Sequence, residues 1–186
     1  MKIITITLLF FLIIVGNDTS AQKSKYGEKY GNTLNLGIGL GYYGYVGHSM
    51  PVLHADYEFA AAKNFTLAPF ITYYSYRNGY YVGNPNDGNW YYYHETVIPI
   101  GVKGTYYLDH LVNAGKKWDF YLAGSLGFAI ENSYWDDGYN GNRNVYHGAS
   151  PLYLDFHVGT ECHLNSKLGI FLDLSTGVST IGIAIH

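Results

Sequence analysis

Apolar side chains recur at every second position in segment after segment of this 186-residue chain. From residue 33 onward Leu34, Leu36 and Ile38 alternate with small or polar residues, and the same pattern runs through 118–130 and 151–164. Alternation with a period of two predicts a β-strand whose two faces meet different surroundings. A chain built from such segments is expected to fold as an all-β protein.

Five further segments show a weaker form of the same alternation, so the sequence predicts eight strands. Helical spacing is absent almost everywhere, and 108–117 is the stretch that could hold a short helical turn. Pro69 and Pro99 lie inside two of the weaker strands, where each removes one donor from the strand ladder. The five segments are 52–60, 65–76, 92–108, 168–175 and 178–186.

The connections between these strands alternate in length. Those at 61–64 and 165–167 are tight, those at 77–90 and 132–149 are long, and 109–117 is intermediate. This alternation is typical of a membrane barrel with short periplasmic turns and long outer loops, whose strands need about 9–11 residues to cross. We therefore predict an eight-stranded antiparallel up-and-down transmembrane β-barrel over 33–186. The alternative is a soluble sandwich or lipocalin-like barrel, which hides its apolar face inside.

The N-terminus has the pattern of a secretory signal peptide. Lys2 precedes an apolar run over 3–15, and small residues follow up to Ala21. The apolar run is shorter than the roughly 20 residues of a spanning helix. We expect 1–21 to be a cleaved signal peptide, 22–32 to be an N-terminal periplasmic segment, and the mature chain to be exported to the outer membrane.

The composition excludes several other classes of protein. The formal net charge is −3, so the chain lacks the basic field of a general nucleic-acid binder and no nucleic-acid partner is expected. A single cysteine, Cys162, excludes an intrachain disulfide framework and a Cys-rich zinc module.

Aromatic residues gather near both ends of the predicted strands. Two belts of amphipathic rings are expected where a barrel meets the two membrane interfaces. The belt near the long connections would contain Tyr42, Tyr43, Tyr73, Tyr74, Tyr76 and residues 90–93, and the belt near the short turns would contain Phe59, Tyr106, Tyr107, Trp118 and Phe120.

Two stretches carry a resemblance to a known family. Residues 96–107 (TVIPIGVKGTYY) resemble the "IPL…K…YY" strand of small outer-membrane β-barrel proteins of the OmpX/OmpA-barrel type, and 168–177 with 181–185 are similar to the two closing strands of that family. The resemblance implies a fold and an outer-membrane location rather than a reaction. It also implies contact with outer-membrane lipid and lipopolysaccharide, insertion by the barrel-assembly machinery and a monomeric state.

If the apolar faces meet lipid, the opposite faces carry an unusually polar set of side chains into the lumen. An eight-stranded barrel is filled by its own side chains, so we expect the carboxylates to find partners there. Lys103 is the inward lysine, and His54 and His157 are expected to carry part of the compensating charge. The predicted network is His54, Asp56, Glu58, Glu95, Lys103, Asp119, Asp155, His157, Glu161 and Asp173.

A metal site is an alternative interpretation of the same residues. His54, Asp56 and Glu58 lie two apart on one strand face, as do Asp155 and His157, and such spacing could present ligands to Zn²⁺. Because the sequence does not show that the two strands meet, ordinary lumen structure is the preferred interpretation. No metal ion and no other cofactor is predicted.

The long connections are rich in Tyr, Trp, Asn and Gly, a composition that forms adaptable binding surfaces. Closely spaced Asp and Asn at 84–89 and 136–142 could also hold Ca²⁺, but neither stretch has the Glu that closes an EF-hand loop. We expect an extracellular ligand of unknown identity to contact loop residues Tyr80, Tyr81, Trp90, Tyr134, Trp135 and Tyr139.

The sequence favours a structural or surface-recognition role over catalysis. The His-x-Ser strand signature of lipid A deacylase barrels is absent, and no nucleotide-binding or nucleophile-elbow motif occurs. We therefore predict that the protein is not an enzyme. A small-solute pore is one alternative, but it needs a water path past inward aromatic residues, and a lipid A-modifying enzyme is the other. The aromatic residues are Phe70, Tyr74, Tyr121 and Tyr153.

Overall fold

The structure, a computed structural model, describes residues 30–41, 50–83, 88–113, 115, 117–140 and 151–186. The predicted signal peptide, 1–21, and most of the predicted periplasmic segment lie outside these residues. Within the described ranges no helix has the length and apolar character needed to cross a bilayer.

Eight strands and one short helix make up the described chain. The helix α1 (Asp109–Val112) is a single turn between β4 and β5, in the stretch where a helical turn is predicted. The strands are β1 (Thr33–Gly41), β2 (Met50–Ala62), β3 (Phe65–Val82), β4 (Asn89–Tyr107), β5 (Trp118–Trp135), β6 (Leu152–His163), β7 (Leu168–Ser175) and β8 (Val178–Ile185).

Each strand pairs antiparallel with the next along the chain, and β8 returns to pair with β1. Leu36 of β1, for example, faces Ala55 on β2 and Ile183 on β8. The sheet therefore closes on itself, and the wall of the barrel has no free edge. The predicted eight-stranded antiparallel up-and-down barrel is confirmed.

The apolar and polar faces are inverted relative to those of a soluble protein. Ile38, Leu126 and Phe128 are 63%, 58% and 66% exposed on the outside of the barrel, whereas Asp56, Lys103 and other charged side chains are buried inside it. The alternative of a soluble sandwich or lipocalin-like barrel, with apolar residues inside, is therefore wrong for this chain.

The strands β3, β4 and β5 are longer than the sequence predicts. The segment 77–90 is predicted as a loop, yet β3 continues to Val82 and β4 begins at Asn89, with Tyr80 facing Tyr91 and Tyr81 facing Trp90. Cross-strand aromatic pairs of this kind stabilise a hairpin and outweigh the turn-forming residues in the same segment. We call residues 77–82, 89–94 and 132–136, which lie beyond the closed wall of the barrel, the extension.

Among the described residues, only part of each predicted aromatic belt faces outward; Tyr42 and Tyr43 lie outside the described ranges. Tyr73, Tyr106 and Trp118 are exposed on the outer face as expected. Four other members have the opposite strand parity and are buried inside the barrel, where they fill space rather than meet an interface. These four are Tyr74, Tyr76, Tyr93 and Tyr107.

Candidate functional site

The centre of the polar lumen is the pair of Lys103 and Asp56. Lys103 on β4 donates to Asp56 Oδ2 at 2.7 Å, and both side chains are almost fully buried. Asp56 also lies 2.9 Å from His54 Nε2 and accepts from Asn35 Nδ2 at 2.9 Å. The carboxylate thus has partners from three other positions, which offsets the cost of burying its charge.

Glu58 lies one pleat further along β2 and is held in a similar way. It accepts from the hydroxyls of Thr66 at 2.9 Å and Tyr107 at 2.7 Å, and from Asn35 Nδ2 at 3.2 Å. Asn35 therefore bridges Glu58 and Asp56 and joins their hydrogen bonds into one network.

A serine, a histidine and an aspartate form a chain along the inner wall of the barrel, from β5 through β6 to β7. Ser125 Oγ lies 2.9 Å from His157 Nε2, and His157 Nδ1 lies 2.7 Å from Asp173 Oδ1. Tyr121 also donates to Asp173 at 3.2 Å. Sequence reasoning missed this arrangement because the three residues belong to three strands, and only the register brings them together.

Asp155 stabilises the tight turn between β7 and β8. Its carboxylate accepts from Thr176 Oγ1 and from the Gly177 backbone N–H, each at 2.7 Å, and from the Val178 N–H at 3.1 Å. His157 Nε2 lies 3.6 Å from the same carboxylate. These contacts give Asp155 a structural role in the turn and leave it little capacity for an ion.

Little space remains between these side chains. A cavity of about 10 Å³, room for about one water molecule, lies among His54, Phe70, Ser125 and their neighbours. Phe70 and Tyr153 meet in the middle of the lumen, with ring centroids 5.6 Å apart. The middle of the barrel is therefore filled by its own side chains.

A second cluster lies at the short-turn end of the lumen. Asp119 and Glu161 belong to the predicted network, and they are joined by two histidines that the sequence analysis did not select. His163 Nε2 lies 2.7 Å from Asp119 Oδ2, and His186 Nε2 lies 2.7 Å from Glu161 Oε1. Strand parity was the available signal. His163 lies two residues after the inward-facing Glu161 of β6, and His186 lies two residues after the inward-facing Ala184 of β8, so both histidines are expected to face the lumen.

Glu95 is the predicted lumen residue that lies apart from these clusters. It faces inward on β4 near the extension and is buried, and its Oε2 has no hydrogen-bond partner among the described residues. The ten predicted residues thus all lie inside the barrel, but they form separate groups rather than one network.

The inner face of the extension carries a stack of aromatic rings. Tyr139 lies flat on Trp135, with ring centroids 3.9 Å apart and planes 2° apart. Tyr80 and Tyr93 contact the same Trp135 ring at 5.0 and 5.1 Å, and Tyr91 meets Tyr139 edge-on. This stack stiffens the extension at the long-loop end of the barrel.

The outer face of the extension presents aromatic rings to the surroundings. Trp90, Tyr134 and Tyr81 are 62%, 57% and 43% exposed. Tyr81 and Trp90 pack edge-on, and Tyr134 stacks on His94 with centroids 4.6 Å apart. Five of the six predicted recognition residues therefore lie on strands rather than in loops, and Tyr139 follows β5.

Asp136 links β4 and β5 at the base of this surface. It accepts from the Tyr92 backbone N–H at 3.0 Å and lies 3.0 Å from His94 Nε2. The hydrogen bond from the Tyr92 N–H, together with His94, holds the pKa of the Asp136 carboxyl below its usual range. Asp136 belongs to one of the two segments in which the sequence offers Ca²⁺ ligands, and here its carboxylate contacts residues of strand β4. Residues 84–87 of the other stretch, and 141–142 of this one, lie outside the described residues.

No family model and no curated protein matches this chain. Among solved structures, a de novo designed transmembrane β-barrel is similar over 85% of this chain and 98% of its own, with 10% identity and a TM-score of 0.46. Ail, the attachment invasion locus protein of Yersinia pestis, is similar over 82% of this chain and 94% of its own. The structure of Ail in complex with the heparin analogue sucrose octasulfate has 8% sequence identity to this chain and a TM-score of 0.42. A second structure of Ail has 9% sequence identity and a TM-score of 0.38.

The strand pairing and the placement of polar residues define the class of this protein. It is an eight-stranded β-barrel of the transmembrane type, with an apolar outside and a filled, polar lumen. The finer likeness to the OmpX/OmpA-barrel type stays a prediction.

Proposed function

We propose that this chain is an integral outer-membrane β-barrel that recognises an extracellular ligand through the outer face of its extension. The observation that carries the proposal is the row of exposed aromatic rings, Tyr81, Trp90 and Tyr134, on strands that continue beyond the closed wall of the barrel. The barrel anchors and orients this surface.

The outer wall supports the membrane location. It consists of exposed Leu, Ile, Val and Phe from every strand, a surface that lipid can cover and water cannot favourably hydrate. Closure of the sheet pairs the backbone groups internally, as a bilayer requires. We propose outer-membrane lipid and lipopolysaccharide as its surroundings, and a monomeric state because the closed wall of the barrel has no edge to share.

The lengths of the connections orient the barrel. The turns between β2 and β3 and between β6 and β7 are short, and both lie at the same end of the barrel because an even number of strands separates them. The long 18- and 19-residue strands β3 and β4 both extend past the wall at the end opposite the β2–β3 turn. Short turns face the periplasm in such barrels, so the extension is proposed to face outward.

The chemistry of the extension suits recognition by contact. Trp and Tyr give large, rigid contact areas at a low cost in side-chain entropy, and they dominate the binding energy of many interfaces. The stack around Trp135 holds the strands behind these rings in place. A preorganised surface of this kind loses less entropy on binding than a mobile loop would.

Binding by reconstituted protein tests this proposal. Fluorescent proteoliposomes carrying the wild type are applied to an array of oligosaccharides and extracellular matrix proteins, beside proteoliposomes carrying Trp90→Ser with Tyr134→Ser. We expect the wild type to bind a subset of the spots and the double variant to bind them at least about tenfold more weakly, as expected when two central aromatic anchors are lost.

The matched control is Phe128→Leu, which changes an exposed aromatic residue on the wall of the barrel instead of the extension. This variant is expected to bind like the wild type. Equal binding by the wild type and the extension variant, or no binding by the wild type to any spot, would contradict the proposal.

Hydrolysis is the competing function that one observation favours, because Ser125, His157 and Asp173 have the order and distances of a catalytic triad. Two features argue for a structural role instead. The adjoining cavity has room for about one water molecule and none for an acyl substrate. Ser125 lies within β5 between two paired strands, where backbone donors serve the ladder rather than an oxyanion hole. We expect Ser125 to resist labelling by a fluorophosphonate, and labelling abolished by Ser125→Ala would favour hydrolysis.

A further inference from the structure

The three groups at the short-turn end of the lumen surround a point that could hold an ion. Glu161 Oε1 lies 2.7 Å from His186 Nε2 and 3.5 Å from His163 Nδ1, and one ligand atom from each of the three residues lies within 4.8 Å of the others. A metal ion with bonds of about 2.1 Å holds its ligand atoms about 3.4 Å apart. Only small side-chain adjustments separate the observed geometry from a bound one.

The ring nitrogens that face away from Glu161 are both anchored. His163 Nε2 contacts Asp119 Oδ2 at 2.7 Å, and His186 Nδ1 contacts Thr33 Oγ1 at 3.0 Å. Histidines that bind metal commonly donate their second ring N–H to a carboxylate or another polar group, which fixes the tautomer and the ring orientation. Both histidines of the cluster have such a partner already in place.

The contacts of His163 favour a cation between the ring and Glu161. When Nε2 carries the proton donated to Asp119, Nδ1 presents its lone pair toward the Glu161 carboxylate, 3.5 Å away. A lone pair and a carboxylate repel each other unless a proton or a metal cation lies between them. A divalent ion satisfies both groups at once.

The fold keeps this point open. Glu161 on β6 and His186 after β8 are separated by β7, and the β7 residue beneath them is Gly169. A Cβ at Gly169 would collide with the Glu161 carboxylate, so the missing side chain leaves room for the two groups to meet above β7. About a fifth of each histidine side chain is exposed (20% for His163 and 21% for His186), which gives an ion a path from solvent.

We propose that Glu161, His163 and His186 form a binding site for a divalent transition-metal ion, with Asp119 and Thr33 as the groups that position the two histidines. Two imidazoles and one carboxylate suit Zn²⁺, and three protein ligands leave a further position for water or a ligand. The ion would tie β6 to the end of β8, beside the seam where β8 closes on β1. The site lies at the opposite end of the barrel from the extension and does not depend on its function.

Metal titration of the folded protein tests the site. The chain, without a polyhistidine tag, is folded in detergent micelles, treated with chelator and titrated with Co²⁺, whose visible absorption reports coordination by protein ligands. We expect one Co²⁺ to bind per chain and Zn²⁺ to displace it. His163→Gln and His186→Gln are expected to weaken Zn²⁺ binding at least about 100-fold, and Asp119→Asn about 10- to 100-fold.

Two control variants separate this site from other binding. His94→Gln removes a histidine that also pairs with an aspartate, but at the far end of the barrel, and Cys162→Ser removes the thiol between Glu161 and His163. Both are expected to bind Zn²⁺ like the wild type. Retained β-sheet circular dichroism identifies the variants that fold. The titration of the wild type tests for a metal site even if a variant fails to fold.

Several results would overturn the proposal. A wild type that gives no metal-dependent absorption would show that the cluster is held by hydrogen bonds and ion pairs alone. Unchanged affinity in both His163→Gln and His186→Gln would place the ion elsewhere. Loss of binding in Cys162→Ser would assign it to the thiol.

Discussion

Three buried aspartates in this barrel are each balanced by a different kind of neighbour. Asp56 has the Lys103 ammonium at 2.7 Å, Asp173 has His157 at 2.7 Å, and Asp155 has the backbone and hydroxyl donors of a tight turn. Because each partner is specific, removal of one side chain should leave one identifiable charge unsatisfied.

Lys103→Met is the clearest case. It removes the ammonium while roughly keeping the side-chain volume, and it leaves the buried Asp56 without its cation. We expect the variant to lose about 3–5 kcal/mol of unfolding free energy at neutral pH, less whatever lumen water restores. The loss should shrink at acidic pH, where a proton neutralises the orphaned carboxylate. Urea unfolding in lipid vesicles at two pH values measures both effects.

A double-mutant cycle provides the control for this prediction. Asp56→Asn in the Lys103→Met background removes the orphaned charge, so the second change should recover part of the stability lost in the first. A loss that is the same at both pH values, with no recovery in the double variant, would show that the pair does not carry the effect.

Asp136 gives a pH-dependent prediction outside the membrane-spanning wall. Its pKa is held low by the Tyr92 N–H and His94, so its contribution to the order of the extension is present above the usual aspartate pKa and is lost as pH falls through the lowered value. Asp136→Ala should speed hydrogen exchange at the Tyr92 amide near neutral pH. The difference from wild type should vanish in strong acid, below the lowered pKa.

Asp137→Ala is the matched control, because Asp137 is the next residue and is exposed. It should leave exchange at Tyr92 unchanged at every pH. Faster exchange in this control, or a difference for Asp136→Ala that persists in strong acid, would contradict a role for the Asp136 carboxylate.

At the scale of elements, the single strand β5 passes from the lipid-facing wall of the barrel into the extension. Leu126 lies outward in the middle of the barrel wall, and Tyr134 lies outward eight residues later in the extension. Leu126→Arg should cost about 2–4 kcal/mol because the charge meets hydrocarbon, whereas Tyr134→Arg should cost about 0–1 kcal/mol. Folding titrations in lipid vesicles compare the unfolding free energies of the two variants. Equal costs at the two positions would show that the lipid boundary does not lie between Leu126 and Tyr134.

Strict alternation made most of the elements predictable. The prediction of β7 at 168–175 matches the structure, and β8 differs by one residue, because apolar residues recur at every second position in most of each segment and a tight turn lies between them. The upper parts of β3 and β4 were missed because Arg77, Asn78 and Gly79 have the composition of a turn. Their pairing depends on aromatic contacts across the hairpin, which a single segment does not display.

The sites were less predictable than the strands, because they depend on register. Parity alone placed Lys103 and Asp56 inside the barrel, but their direct contact requires the pairing of β2 with β3 and of β3 with β4. The contact of Glu161 with His186 crosses β7 and involves residues 25 positions apart. No local pattern encodes a meeting of that kind.

At the scale of the whole molecule, the filled lumen should prevent ion flow. Phe70 and Tyr153 meet across the middle of the barrel, and the polar side chains around them are paired with one another. We expect protein in planar bilayers to give no steady single-channel current. Reproducible conductance steps would instead support the small-solute pore and would require a passage through this packing.

We expect the apolar face of the barrel to meet lipid and the extension to stand clear of it. A spin label placed at successive positions along β5, in a Cys162→Ser background folded into vesicles, measures this directly through collisions with oxygen. We predict high oxygen accessibility at the even-numbered positions from Phe120 to Ile130, low values at the odd-numbered positions between them, and access to a water-soluble relaxant instead at Tyr134. Alternation of the opposite phase, or no alternation along the strand, would contradict this placement of the barrel in the membrane.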